Sequence, residues 1–215
     1  MTPAPPLEQA LQRGLDALGQ SLPPGGVTLL GRYLRLLERW NRAFNLTAVR
    51  DPATMIPRHL LDCLAVLPWV QGERVLDVGS GAGLPGIPLA VSRRAWQFVL
   101  LDSNGKKTRF LTQAVAELGL TNVEVVKART ETHRTAAPYD TIISRAFASL
   151  EAFLDAVAHL CGPATRILAM KGAYPEAELD RIHHPWARLE SVEPLAVPGL
   201  EGARHLVVFT CTPPR

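Results

Sequence analysis

Four glycines within eight residues, Gly79, Gly81, Gly83 and Gly86, follow a short apolar run from Val75 to Val78. That run is β-branched at both ends and suits a strand buried on both faces. Glycine permits positive φ and lets backbone N–H groups approach a ligand that a Cβ would hold off. Pro85 stands just ahead of the apolar segment Ile87 to Val91, as proline does in a first helical turn. The stretch reads strand, glycine loop, helix: a cradle for a cofactor. Gly81-x-Gly83-x-x-Gly86 has the bare spacing of the dinucleotide fingerprint, a weak signal alone. In that fingerprint the first glycine directly follows the strand and the helix N-terminus receives a pyrophosphate. Here Asp77 lies two residues ahead of the first glycine. A carboxylate gives an anion-binding loop little and suits a cofactor with cationic groups.

S-adenosylmethionine carries a sulfonium and an ammonium, and Asp77-x-Gly79-x-Gly81-x-Gly83 resembles the first motif of the Rossmann-like methyltransferases. In a parallel sheet the ligand crevice opens at the carboxyl ends of the strands, so the residues there carry the chemistry. The second strand ends in Asp102-Ser103-Asn104, where an acid can accept hydrogen bonds from both ribose hydroxyls or cap the next helix. After the third, Thr130 and Glu131 offer an amide and a carboxylate to an adenine edge. The fourth ends in Ser144-Arg145-Ala146-Phe147 and the fifth in Met170-Lys171-Gly172. An arginine directly after an apolar strand is costly without an anionic partner. Lys106, Lys107 and Arg109 fall in the first turns of a helix, against its dipole, a small cost that hints at an outside anion.

These residues need a frame. Leu7, Leu11, Leu15 and Leu18 recur at helical spacing and predict a helix ending near Gly19. A longer helix from about Val27 to Phe44 puts Leu30, Tyr33, Leu34, Leu37, Trp40 and Phe44 on one face. Arg32, Arg35, Arg39 and Arg42 lie almost opposite, a solvated face or a match for a phosphate backbone. Asn41 and Asn45 sit one turn apart at its end, where asparagine commonly caps. Asp51-Pro52 opens a further helix that Pro68 closes, with Pro57 awkwardly early in it. From 74 onward strands alternate with helices, the pattern of a parallel α/β sheet. Strands are predicted at 74–79, 96–101, 123–127, 139–144, 165–170 and 204–211, with a further one near 188–196. Helices are predicted around 84–93, 104–118 and 149–160. The chain divides into an N-terminal helical subdomain, 1–70, and one compact α/β unit, 71–215.

The 215 residues, 47% hydrophobic, suffice for one substantial core. A net charge of +3 suits a nucleic-acid partner without requiring one. No apolar run approaches the roughly 20 residues that span a bilayer. The start of the chain lacks the basic flank and apolar centre of a signal peptide. The expectation is a cytoplasmic protein without a membrane. Cys63, Cys161 and Cys211 are far apart in sequence and read as reduced small hydrophobes. There is no HExxH, Walker or nucleophile-elbow motif, the adjacent His183 and His184 read as surface residues, and no metal site is predicted. No exposed apolar stripe is left over, which favours a monomer.

Trp40-Asn41-x-x-Phe44-Asn45-Leu46-Thr47-Ala48, His59-Leu60-Leu61-Asp62, the glycine stretch 77–88, Asp102-Ser103 with Lys106-Lys107, and Ser144-Arg145-Ala146-Phe147-Ala148 occur in this order. Together they closely resemble the bacterial small-subunit (16S) ribosomal RNA guanine-N7 methyltransferases, also called glucose-inhibited division protein B. The resemblance runs from about Tyr33 to Gly172 and is weak beyond. It implies an α/β fold, the Rossmann-like class I methyltransferase sheet with an N-terminal helical extension. It implies S-adenosylmethionine as donor and a guanine N7 near the decoding centre, in 16S rRNA or an assembling small subunit, as acceptor. By position, the cofactor contacts fall on Asp77, Gly79, Gly81, Leu84, Asp102, Ser103, Asn104, Thr130, Glu131 and Arg145. Thr130 departs from a usual small apolar residue and Cys63 from a usual serine. Arg145 is expected to orient cofactor and base as the catalytic residue. Asn41, Asn45 and Lys171 are expected to reach the base, and Arg35 and Arg39 the RNA backbone. Guanine N7 has a free lone pair, so no general base is expected and alignment carries catalysis. The competing readings are an NAD-dependent oxidoreductase and an RNA-binding module without turnover; Asp77 and the lack of a Tyr-x-x-x-Lys argue against the first.

Overall fold

The computed structural model describes residues 6–145 and 147–212, the side chain of Pro52 excepted; Ala146 of the Ser-Arg-Ala-Phe motif and the Pro-rich start before residue 6 lie outside. Two helices open the chain, α1 (Pro6–Ala17) and α2 (Gly26–Phe44), close to the leucine periodicity. On α2, Leu30, Tyr33, Leu34 and Leu37 are buried as their shared face predicts. Phe44 departs from that face: it ends the helix and is exposed, resting on Trp40 with ring centroids 5.1 Å apart.

Asp51 caps α3 (Pro52–Met55), accepting from the amides of Ala53 and Thr54. The single helix expected to follow is instead broken. Ile56–Leu61 forms a wider π-helical turn, in which Asp62 N donates to Pro57 O, before α4 (Asp62–Leu64) and a 3₁₀ turn at Leu67–Trp69. Pro57 has no N–H and its ring crowds the preceding turn, so a regular ladder cannot run through it.

The remainder alternates as predicted: β1 (Arg74–Val78), α5 (Gly86–Ser92), β2 (Gln97–Asp102), α6 (Gly105–Leu118), β3 (Val123–Lys127), β4 (Tyr139–Ser144), α7 (Leu150–Val157) and β5 (Cys161–Lys171). A short α8 (Glu176–Leu179), β6 (Ala187–Pro194) and β7 (His205–Cys211) complete it. The seven strands lie in the order β3-β2-β1-β4-β5-β7-β6. Neighbours from β3 through β5 are parallel, and β7 runs antiparallel between β5 and β6. The order reverses between β1 and β4, which opens a crevice above their carboxyl ends. One face of the sheet carries Leu76, Val99 and Phe209 against Phe153 of α7. On the other face Val75 and Phe98 join one apolar cluster with Phe110 of α6 and with Leu11, Leu30 and Leu34. The N-terminal helices thus share their core with the sheet across residue 70.

Candidate functional site

The glycine loop leaves β1 with Gly79, Gly81 and Gly83 at φ of 70°, 58° and 88°. Conformational freedom decides at Gly83, where a Cβ would also sit 2.5 Å from Ile87 Cδ1. Gly86 is fixed by space instead: a Cβ there would meet Leu100 Cδ2 and Asp77 Oδ2. Three anchors hold the loop. Asp102 Oδ2 accepts from Gly81 N at 2.9 Å, Asp77 Oδ2 accepts from Gly86 N at 2.9 Å, and Tyr33 of α2 donates its hydroxyl to Ala82 O at 2.6 Å.

Asp77 is turned under this loop and is fully buried rather than facing the crevice. Burial pushes its carboxyl up to about 7, against the Gly86 amide and Ser80 hydroxyl that favour ionisation. Its Oδ1 has no hydrogen-bond partner among the described residues. Leu84 is likewise buried beneath the loop.

Two cavities open at the carboxyl edge of the sheet, one lined by Phe147 and the other by Arg145. The first, ≈ 280 Å³, is lined by Val78, Gly79, Asp102, Ser103, Lys107, Ala128, Arg129, Thr130, Glu131 and Phe147. It gathers the strand ends of β1, β2 and β3. Asp102 has its Oδ1 on the amide of Asn104 at 2.8 Å and its Oδ2 on that of Gly81, with Lys107 Nζ 3.8 Å away. Each carboxylate oxygen can accept once more, so a diol in this cavity finds two fixed acceptors. The helix cap is Asn104, whose side chain accepts from the amides of Lys106 and Lys107, so Asp102 is not needed as the cap.

The second cavity, ≈ 240 Å³, is lined by Asp62, Arg145, Met170, Lys171, Gly172, Leu195, Arg204 and His205. Arg145 donates to Arg58 O in the π-helical turn and pairs with Asp62 Oδ2 at 3.2 Å. The other Asp62 oxygen lies 3.3 Å from Arg204 Nε. Burial raises the Asp62 carboxyl, and both arginines oppose the shift. Lys171 pairs with Glu178 at 2.8 Å, and His205 Nδ1 meets Gly172 O at 2.9 Å. The result is a small cationic chamber in which Arg145, Lys171 and Arg204 are each held by a carboxylate.

Several predicted contacts lie elsewhere. Asn41 is buried; its side chain accepts from Thr47 N and donates to Val49 O, and Asn45 takes the left-handed C-cap of α2 at φ 49°. Neither lines the two cavities, so this motif shapes the turn that leads to α3. Thr47 Oγ1 meets His59 Nε2 at 2.9 Å, and burial pulls the His59 imidazole down to about 4. The α2 arginines are taken up internally: Arg35 by buried Glu8, Arg39 by Glu117, Arg42 by Glu38, and Arg32 by the Glu117 carbonyl. Ser103 and Thr130 line the first cavity; Asn104 does not, and caps α6 instead. The sequence reading missed Arg129 and Phe147 at the first cavity and Asp62, Arg204 and His205 at the second. Asp62 stood inside a recognised motif; Arg204 and His205 carried no local signal. Among the described residues no group of His, Cys, Asp and Glu could hold a metal, and no helix is long and apolar enough to cross a membrane.

The family model described as GidB, rRNA small subunit methyltransferase G, matches residues 27–207. The chain belongs to this family. The chain is 51% identical over 205 residues to "Ribosomal RNA small subunit methyltransferase G" of Alkalilimnicola ehrlichii, covering 95% of this chain and 93% of the relative. It is 52% identical over 203 residues to the protein of the same name from Pseudomonas aeruginosa strain UCBPP-PA14, covering 94% of each. Solved structures share the fold: an S-adenosylmethionine-dependent methyltransferase from Aquifex aeolicus (TM-score 0.53, 19% identity) covers 75% of this chain and 94% of its own. The glycopeptide N-methyltransferase MtfA, in complex with S-adenosylmethionine, aligns with TM-score 0.57 at 11% identity, over 73% of this chain and 88% of its own. The architecture is that of the Rossmann-like class I methyltransferases. The match extends to residue 207, so Arg204 and His205 fall inside the family region that the motif resemblance left at Gly172.

Proposed function

We propose that the chain transfers a methyl group from S-adenosylmethionine to N7 of a guanine in 16S ribosomal RNA. The observation that carries this reading is the pair of cavities that take Phe147 and Arg145, respectively, into their walls, one holding a fixed carboxylate and the other fixed cations. The first fits the cofactor. Gly79 lines it at φ 70°, where a side chain would be strained, Asp102 is preset for the ribose hydroxyls, and Thr130 with Glu131 borders the place for the adenine edge. When bound, the cofactor supplies an electrophilic methyl on a sulfonium.

The protein's part is positioning. A guanidinium on N7 would occupy the lone pair that must attack, so Arg145 and Arg204 serve O6 or the flanking phosphate instead. The carboxylate of Asp62 fixes both guanidiniums, and Glu178 fixes Lys171, so little side-chain freedom is lost on binding the base. A base in folded RNA reaches such a chamber only when splayed from its stack. No proton need leave N7. His59 is neutral near pH 7 and tied to Thr47, and burial holds Cys63 as a thiol, so both serve as packing groups.

The test is methyl mapping on small-subunit RNA incubated with the purified protein and tritiated S-adenosylmethionine. The expected product is 7-methylguanine at one position, and Arg145→Ala should slow single-turnover transfer tenfold or more, an order-of-magnitude figure for lost alignment. RNA that stays unlabelled, or is labelled on an exocyclic amine or ribose, removes the proposal.

A further inference from the structure

A third surface carries charge that neither cavity uses. Where β3 ends and α6 begins, an open groove of ≈ 590 Å³ is lined by Asn104, Gly105, Lys106, Thr108, Arg109 and Lys127. No carboxylate lines it. The cations of α2 all have partners within the chain, whereas those of the groove have no carboxylate partner among the described residues. Lys106 and Lys127 make no side-chain hydrogen bond or ion pair among the described residues, and Arg109 only bends back to Gly105 O at 3.3 Å. Lys127 Nζ lies over the first turn of α6, 3.3 Å from where a Cβ on Gly105 would stand.

This arrangement is unfavourable by itself. Lys106 and Arg109 stand at i and i+3 with like charge, and all three cations sit at the positive end of a helix dipole. An anion from outside relieves both costs. The groove contains no aromatic side chain on which a base could stack, so its chemistry suits phosphates rather than bases. Its neighbour Lys107 lines the first cavity, which places the groove beside the catalytic cleft. We infer that the groove between α6 and β3 is a docking surface for the sugar–phosphate backbone of the substrate RNA, with Lys106, Arg109 and Lys127 as its phosphate contacts. This rests on the functional reading above, and it puts the backbone contact on α6 rather than on the arginine face of α2.

The probe is protein-free 16S rRNA, with binding and methyl transfer measured across a salt series. In a variant carrying Lys106→Ala, Arg109→Ala and Lys127→Ala, the log–log salt slope of binding should fall by about 2 to 3, at roughly 0.7–0.9 per lost phosphate contact. Affinity at about 0.1 M salt should drop tenfold or more. S-adenosylmethionine affinity should hold, and the thermal midpoint should equal or exceed that of the wild type, because α6 sheds like charges. A merely structural role would lower the midpoint as well. Lys127→Gln alone, on a strand end, should cost about one contact's share of the slope. Arg35→Ala with Arg39→Ala should leave the slope where it was. A wild-type slope in the triple variant, with RNA still methylated, overturns the groove and leaves the activity standing; RNA that the wild type never methylates removes the activity itself.

Discussion

Asp77 is the residue whose chemistry the fold alters most. Its carboxyl is held at about 7, above the ordinary 3.8, chiefly by burial. The folded state therefore favours the neutral acid. Stability from this proton is fully present below pH 3.8 and is lost as pH rises through 7. Asp77→Asn keeps an acceptor for the Gly86 amide without the charge. Its stability advantage over the wild type should grow between about pH 4 and 7 and then level off, by at most about 4 kcal/mol. Urea midpoints across pH would check this, and a gap that stays constant with pH would show that Asp77 is ionised throughout. The same proton bears on kinetics. The rate within the fully bound complex should be nearly flat from about pH 6.5 to 9, since N7 needs no base, while the second-order rate can still report Asp77 of the free enzyme. An inflection near neutrality in single turnover would point to an acceptor that must lose a proton. Asp102→Ala should weaken S-adenosylmethionine binding by roughly 1–3 kcal/mol, the cost of losing a charged acceptor that also pins Gly81. Unchanged affinity by calorimetry would leave Asp102 as a loop anchor alone.

At the scale of elements, the glycine loop is positioned by α2 as much as by its own strand. Tyr33 is completely buried, and its hydroxyl on Ala82 O is the tie between helix and loop. Tyr33→Phe should cost about 1 kcal/mol of stability and several-fold in cofactor affinity, because the Ala82 carbonyl loses its partner and the loop its brace. A loss of stability with affinity intact would mean that the loop holds its shape unaided. Gly79→Val should go further. At φ 70° a β-branched side chain is strained, and Gly79 lines the cavity proposed for the cofactor. The folded variant should show no binding heat with S-adenosylmethionine.

On the scale of the whole molecule, one buried carboxylate joins three parts of the chain. Asp62 of α4 pairs with Arg145 after β4 and with Arg204 before β7. The π-helical turn adds the Arg58 carbonyl to the same guanidinium. Removing Asp62 leaves two guanidiniums in a confined chamber, each about a third exposed, so Asp62→Ala should cost roughly 1–3 kcal/mol, below the figure for fully buried pairs. It should also slow methyl transfer, and combining it with Arg145→Ala should add little further loss, since both variants dismantle one arrangement. Full additivity in that cycle would separate the two residues.

The sequence by itself determined what depends on neighbours along the chain. The turn from β1 through the glycine loop into α5, the Asp51 cap and the strands follow from local φ/ψ demands and from apolar periods, and all lie close to their predicted limits except β5, which begins at Cys161 rather than 165. Asp102, Thr130 and Glu131 were legible because a parallel sheet puts its strand ends at one rim. Partners across the fold were not legible. An arginine stripe looks the same whether it faces water or meets Glu8 and Glu117, and only the packing of α1 and α6 against α2 assigned those carboxylates. Asn41 spends its side chain on the turn after α2, whereas Asn45 gives that turn only its backbone and keeps its side chain exposed. Cys161 and Cys211, distant in sequence, line one cavity because β7 returns antiparallel to β5. The cationic chamber is the clearest case. Asp62, Lys171 and Arg204 carry no shared spacing, and they meet because β7 inserts between β5 and β6 and delivers its first residues to the rim where β5 ends.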